Sequence, residues 1–335
     1  MGSVMKLSDL KSAGAAFLLV AGLCLGGCGE NASTVSNKSL PEGAVVVSNF
    51  DYMGHQNEIS FSQVPERTIV ARPEVLDALI ALHAEQSVCA AYITKDRTSD
   101  IPELQKLMPN CRFFTNELDR ETALMLKPDF IIGWRWNFRK GALGDVDFWN
   151  RRKVPTYIEE NSGPVPAVDP FPPSTVESEI QFLQNMGTIY HREEEAGQMV
   201  EEIRRTLRSR QEAASHFGPS KAITIEFMGN KIEVFGDKLL SGDIIRKLGC
   251  SNYNYEIPFI TGEELRMSDA DTIFIIYHGS DLEAQNALDK LSQPEFKDIP
   301  AVKVGRIHFL PYRYICASNI YTARCIREIY KGLYE

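Results

Sequence analysis

Short, uniformly apolar runs separated by stretches of helical periodicity constrain this chain most. Thr68-Ile-Val-Ala71, Val88 to Ile93, Phe130-Ile-Ile-Gly133 and Thr272 to Tyr277 show no polar–apolar alternation, so strands made from them are buried on both faces. Pro73 opens a helix over Glu74 to His83, and further helices are predicted at Ile101–Met108, Arg120–Leu126 and Phe148–Arg152. Val45 to Phe50 and Glu58 to Phe61 read as two strands around a polar turn, and Arg112–Phe114 and Thr156–Ile158 as further strands. Buried strands alternating with helices specify an α/β fold, a parallel sheet with helices on both faces.

The pattern stops at a proline-rich break, Pro164 to Pro173. Two helices follow, Thr175–Tyr190 and the highly charged Arg192–Ser215. The second is roughly 36 Å long at about 1.5 Å per residue, enough to bridge two lobes, a surface helix of one domain being the alternative. Strands then resume at Ala222–Phe227 and Lys231–Phe235. Gly242–Leu248 is a helix with Gly249 as its C-cap, and Thr261 with Glu264 spells a capping box. Helix Asp281–Leu291, strand Arg306–Leu310 and helix Ile320–Leu333 close the chain, so the second half repeats the architecture of the first.

At the N-terminus, Lys6 and Lys11 lead into an apolar run, Ala13–Leu25, the size of a signal-peptide core and short of the ~20 residues that span a bilayer. Leu25-Gly26-Gly27-Cys28 resembles a bacterial lipobox. The resemblance implies a leader over 1–27, cut before Cys28, and a thioether-linked diacylglyceryl and palmitate-type anchor on Cys28, with several acyl chains holding the exported chain at a membrane's outer or periplasmic face. An uncleaved anchor is the alternative. Residues 28–44 form a flexible spacer, 45–173 a first lobe, 174–218 a helical connector and 219–335 a second lobe.

A formal net charge of −9 without any Lys/Arg block argues against nucleic acid as a partner and against an electrostatic membrane patch. Cys89, Cys111, Cys250, Cys316 and Cys325 remain beyond the leader, with no CxxC and no zinc spacing. Cys89 and Cys111 lie beside strands of one lobe and are the pair to test as a disulfide, buried free thiols being the other reading.

Four segments, in order, are similar to one family: Pro65-Glu-Arg-Thr-Ile-Val70, Leu126-Lys-Pro-Asp-Phe-Ile-Ile-Gly133, Gly242-Asp-Ile-Ile-Arg-Lys-Leu-Gly249 and Ala301-Val-Lys-Val-Gly-Arg-Ile-His308. From about residue 45 to the C-terminus the chain resembles the substrate-binding lipoproteins of ABC importers for iron complexes, haem and cobalamin. The resemblance implies two Rossmann-like lobes joined by one long α-helix, a ligand cleft between them, and modest closure about a stiff connector. It implies a monomer partnered by a permease and its ATPase. Each lobe presents one acid to the permease: Glu263 occupies the second-lobe position, and Asp145 or Glu121 the first.

Ligands of open α/β sheets meet the carboxyl ends of strands. The residues just after the strands are Arg72, then Trp134-Arg135-Trp136, and in the second half His278, Tyr312 and Arg313, with Phe259 before the Thr261 helix. Indole and guanidinium groups suit a large, flat or anionic ligand. Trp149, beside Phe148 on a helix, reads as core. The family resemblance implies that His278 would be the axial metal ligand if the cargo were haem; a hydrogen-bonding cleft histidine is the plainer role. A first-lobe partner is less defined, Tyr52 and Met53 being within reach. A ferric siderophore ranks first, haem second, and cobalamin third through the Trp134-Arg135 pair.

Catalysis finds no support. There is no Gly-x-Ser-x-Gly, no Gly-Lys-Ser/Thr loop and no His-Glu-x-x-His. The expected role is capture and delivery of a ferric complex, with no intrinsic cofactor; a lipid-tethered sensor or adhesin on the same fold is the competing class.

Overall fold

In the computed structural model, residues 44–162, 171–255, 258–315 and 318–335 are described. The leader, Cys28, nearly all of the 28–44 spacer, much of the Pro164–Pro173 break and Cys316 lie outside them. The described residues fall in one compact unit, Leu40–Glu335.

An antiparallel hairpin, β1 (Val45–Phe50) with β2 (Gln56–Phe61), precedes the first sheet. The chain then alternates through β3 (Thr68–Val70), α1 (Pro73–Ala81), β4 (Val88–Tyr92), α2 (Ile101–Leu107), β5 (Arg112–Phe114), α3 (Arg120–Leu126), β6 (Phe130–Gly133), α4 (Val146–Asn150) and β7 (Thr156–Ile158). The strand order is β5-β4-β3-β6-β7, all parallel. Every residue of β3 and β6 is buried, as unbroken apolar runs require. The Asn49 side chain pairs both ways with the Ile158 backbone at 2.8 Å and closes the β7 edge.

Two long helices follow, α5 (Val176–Tyr190) and α6 (Glu193–Ala214). The expected long connector is α6, and α5 runs beside it in the opposite direction. At the start of α5, Val176 N–H donates to Asp243 of the second lobe at 2.9 Å. Near its end, Tyr190 Oη meets Thr68 Oγ1 of the first lobe at 2.7 Å. Arg192, just before α6, reaches the His83 carbonyl, while Gln211 near its end donates to the Lys247 carbonyl. The helices touch closely because Gly187 faces Ala196: a Cβ there would stand 2.6 Å from the alanine methyl.

The second lobe holds β8 (Lys221–Met228), β9 (Lys231–Val234), α7 (Leu240–Lys247), β10 (Ser251–Asn252), β11 (Phe259–Ile260), α8 (Gly262–Arg266), β12 (Thr272–Tyr277), α9 (Asp281–Leu291), α10 (Pro300–Val304), β13 (Ile307–Pro311) and α11 (Thr322–Tyr334). Its sheet runs β11-β9-β8-β12-β13, with β10 also on β8. Unlike the first, it is mixed: β8 turns back into β9 through Gly229-Asn230, with Gly229 at φ +63°, as a tight hairpin turn requires. The Thr261–Glu264 capping box forms, and Gly249 sits at φ +86° after α7.

One hydrophobic cluster runs from Val70 and Phe130 through Phe182 and Ile203 to Ile244 and Ile326, so both lobes share a core along the α5–α6–α11 side. Each lobe has its own core on the opposite sheet face, around Trp149 and around Ile273. Lobes welded along one side through packed helices favour small displacements over wide hinge opening. Cys89 and Cys111 are buried free thiols, and burial pushes Cys111 up to about 12.

Candidate functional site

In the first sheet the chain leaves β3 toward β4 and later returns on the other side of β3 as β6. The crevice at the carboxyl ends of β3 and β6 is therefore the switch point where ligands of such sheets sit. Arg72 follows β3 and Trp134 follows β6. The Arg72 guanidinium lies 5.1 Å from the Trp134 ring centroid and 3.6 Å from the Glu74 carboxylate. Trp134 is fixed at both ends: its indole N–H donates to the Asn161 carbonyl at 2.9 Å, and its backbone N–H to Asn137 Oδ1 at 2.8 Å. Gly133 permits this turn, because a Cβ there would come within 3.0 Å of Ala71 and 3.1 Å of Asn137.

Arg135 follows Trp134. Only 5% exposed, its guanidinium is enclosed by Trp136, Phe171 and Tyr52 at 4.9, 4.9 and 5.9 Å. Arg135–Phe138 forms a single tight helical turn at about three residues per turn, so successive side chains point about 120° apart. Trp136 is exposed and meets Tyr52 edge-on, and Met53 is exposed in the hairpin loop. Trp149 is core, its indole N–H bonded to the Leu143 carbonyl.

In the second lobe, three strand ends build one cluster. His278 follows β12 and stacks on Tyr312, which follows β13, with centroids 4.4 Å apart at 25°. His278 Nε2 lies 3.1 Å from Glu226 Oε1 on β8, and the His278 backbone N–H donates to Glu283. The hydrogen bond with the mostly buried Glu226 holds the imidazole above its ordinary range, and Glu283 and Asp96 add to the shift. Asp96 belongs to the first lobe, so that lobe also acts on the His278 cluster.

A polar bridge links the two lobes. Arg97 grips Asp77 with two bonds of 3.0 and 2.8 Å, and Asp77 accepts from Tyr321 of the second lobe at 2.9 Å. Arg313 lies over Tyr321, 5.5 Å from its centroid. Phe259 stands apart on edge strand β11, half-exposed beneath Lys231. The structure thus brings together Arg72 with Trp134, and His278 with Tyr312; it sets Arg313 at the bridge, Arg135 among Trp136, Phe171 and Tyr52, and Phe259 on an edge strand.

Of the expected docking acids, Glu263 is exposed in α8, 3.5 Å from Arg266. Asp145 caps α4 by accepting from Phe148 N–H at 2.6 Å. Glu121 lies in the first turn of α3. Two open depressions, about 550 and 600 Å³, lie on single lobes, around Leu282–Lys290 and around Met53–Asp145. Neither contains Arg72, Trp134 or His278.

Glu226, Asp77, Arg97 and Asp96 were missed. A lone acid inside the apolar run Ala222–Phe227 was the available signal for Glu226.

A family model described as periplasmic binding protein matches residues 114–314, which is more than half of the chain. The chain belongs to the periplasmic binding protein family. Membership brings an extracytoplasmic, substrate-binding role in transport rather than catalysis. Among solved structures, a periplasmic binding protein from Veillonella parvula is 26% identical at a TM-score of 0.76, covering 88% of this chain and 92% of its own. Two more distant structures share the fold. The periplasmic catecholate-siderophore binding protein of Vibrio cholerae is 18% identical, TM-score 0.64, covering 85% of this chain and 99% of its own. The haem complex of Staphylococcus aureus IsdE is 14% identical, TM-score 0.59, covering 80% and 99%. No curated protein sequence matches.

Proposed function

We propose that this periplasmic binding protein captures a ferric complex, a ferric siderophore in first place, and delivers it to an ABC permease and its ATPase. The observation that carries this reading is a cation on an aromatic face at the strand ends of each lobe: a guanidinium on an indole at Arg72–Trp134, and an imidazole held toward its charged form on Tyr312. Two cations beside aromatic faces suit a complex whose iron is already wrapped in anionic oxygens, as in a catecholate or hydroxamate chelate. The catecholate-siderophore binder and the Fe3+-hydroxamate transport structure among the fold relatives support this ligand class.

Haem is the second reading, supported by the haem-bound relative and by the position of His278. It ranks lower because His278 Nε2 is committed to Glu226, and axial ligation needs a free lone pair on a neutral ring. Cobalamin ranks third, since burial of Arg135 removes half of the Trp134-Arg135 pair behind it. A sensor or adhesin on this fold would have no need of paired cations at the strand ends. Parallel absorbance titration with ferric siderophores, hemin and cobalamin tests the ranking. Tight siderophore binding weakened by Arg72→Ala is expected; a hemin Soret shift abolished by His278→Ala would overturn it.

Delivery in this reading uses a monomer tethered through a lipid on Cys28 and docked through Glu263 and Asp145. The exposure of Glu263 supports its part. Glu263→Arg is expected to reduce uptake while ligand affinity stays constant, and unaltered transport would count against it.

A further inference from the structure

The floor joining the lobes is built from carboxyls that ligand capture does not use. Glu159 and Glu160 follow β7 and Glu179 lies in the first turn of α5; each is 2% exposed or less. Their oxygens receive hydrogen bonds from the segment after β13: Ser318 N–H donates to Glu159 Oε2 at 3.2 Å, and Asn319 N–H to Glu179 Oε2 at 3.1 Å. Asn161 ties the two sides together. Its side-chain amide donates to Glu179 Oε1 at 2.9 Å and to the Ile315 carbonyl at 3.3 Å, and its backbone N–H to Ser318 Oγ at 3.4 Å. Tyr157 Oη donates to Glu160 Oε1, and Asn185 donates to Tyr157 Oη at 2.7 Å.

Two oxygens, Glu159 Oε1 and Glu160 Oε2, are buried with no hydrogen-bond partner. An anionic oxygen in that position lacks both water and a donor, whereas a neutral acid is far less costly to bury. The groups facing the cluster supply little compensation. Arg72 acts on Glu159, but Glu74 opposes it from the same helix start. Cys325 of α11 faces Glu179, and Asn49 of β1 approaches Tyr157. Burial therefore pushes Glu159 and Glu160 up to about 8, and Glu179 well above the carboxylate range, with Glu159 further raising Glu160 and both raising Glu179.

We propose that Glu159, Glu160 and Glu179 form a proton-held latch between the lobes. With the acids neutral, the cluster stays dry and its contacts with Ser318 and Asn319 hold the lobes in register. Those two N–H donors favour the ionised carboxylates, but release of the protons to solvent sets like charges side by side in the buried floor, and that cost outweighs them and opens the contact with Ser318 and Asn319. The sign follows from linkage. Unfolded, each acid ionises near 4.5; folded, Glu159 and Glu160 keep their protons up to about 8. The folded state binds more protons over that window, so the latch's contribution is complete below about 4.5 and is lost as pH rises through about 8.

Hydrogen exchange at the Ser318 and Asn319 amides of the full chain, corrected for intrinsic pH dependence, tests this at about pH 6.5 and about pH 9.5. In the wild type, protection is expected to fall at least about tenfold at the higher pH, and in Glu159→Gln/Glu160→Gln to change by less than about twofold. Unchanged wild-type protection, or an equal fall in the variant, overturns the latch. Should the double variant not fold, infrared difference spectra of the wild type and of Glu160→Gln decide. A protonated-carboxyl stretch lost with rising pH and weakened in the variant is expected; its absence at about pH 6.5 overturns the proposal.

Discussion

The two mouths occupy the same end of two related sheets and use different chemistry. In the first lobe, Arg72 lies over Trp134 and its charge is permanent. In the second, His278 lies against Tyr312 and its charge depends on Glu226. The sheets differ in the same sense: the first is wholly parallel, whereas in the second β9 folds back on β8 and places Glu233 opposite Glu226. The first lobe therefore supplies a fixed cation, and the second a cation that responds to pH.

The largest expected effect concerns the bridge that links the two lobes through Arg97, Asp77 and Tyr321. Arg97→Ala leaves Asp77, itself bonded to Tyr321, without its guanidinium; both side chains are 11% exposed. A loss of about 3 kcal/mol or more is expected in urea unfolding, and a loss below about 1 kcal/mol would show that the bridge is not structural.

Next comes Arg72→Ala. The fixed cation should lower ligand affinity by about tenfold to a hundredfold at every pH, corresponding to about 1.5–3 kcal/mol for a charge-assisted contact. Calorimetric titration across pH checks it, and a loss confined to one pH range would erase the difference between the lobes.

Glu226→Gln is expected to do less and to do it selectively. Because Glu226 raises the His278 value, the charged imidazole is favoured, and its contribution is present below about 6.5 and lost as pH rises through the folded value. Removing the carboxylate should move the His278 titration, followed by NMR, back toward 6.5 and weaken binding only in the window between about 6.5 and the wild-type folded value. The smallest effect belongs to Trp136→Ala. That ring is 38% exposed but covers the Arg135 guanidinium at 4.9 Å, and a loss of about 1 kcal/mol in thermal unfolding is expected.

Burial made the fold legible. β3, β6 and β12 are covered on both faces, so their apolar runs announce them, and Pro73, Thr261 and Gly249 mark helix ends by local backbone chemistry. The strand-end rule likewise led to Arg72, Trp134, His278 and Tyr312. It did not separate Trp134 from Arg135, because one residue of advance through a tight turn takes a side chain from the mouth into the core. The short β10 and β11 and helix α10 lack a periodic signal of their own. The junction of Glu159, Asn161 and Glu179 with Ser318 joins residues up to 159 positions apart, and nothing local marks such a meeting.

Anomalous scattering from iron, in crystals of the protein grown with a ferric catecholate siderophore, tests the central claim most directly. The expected result is one iron peak between the lobes, within ligand reach of Arg72, Trp134 and His278. Iron in either single-lobe depression, or no iron between the strand ends, would contradict capture at the two mouths.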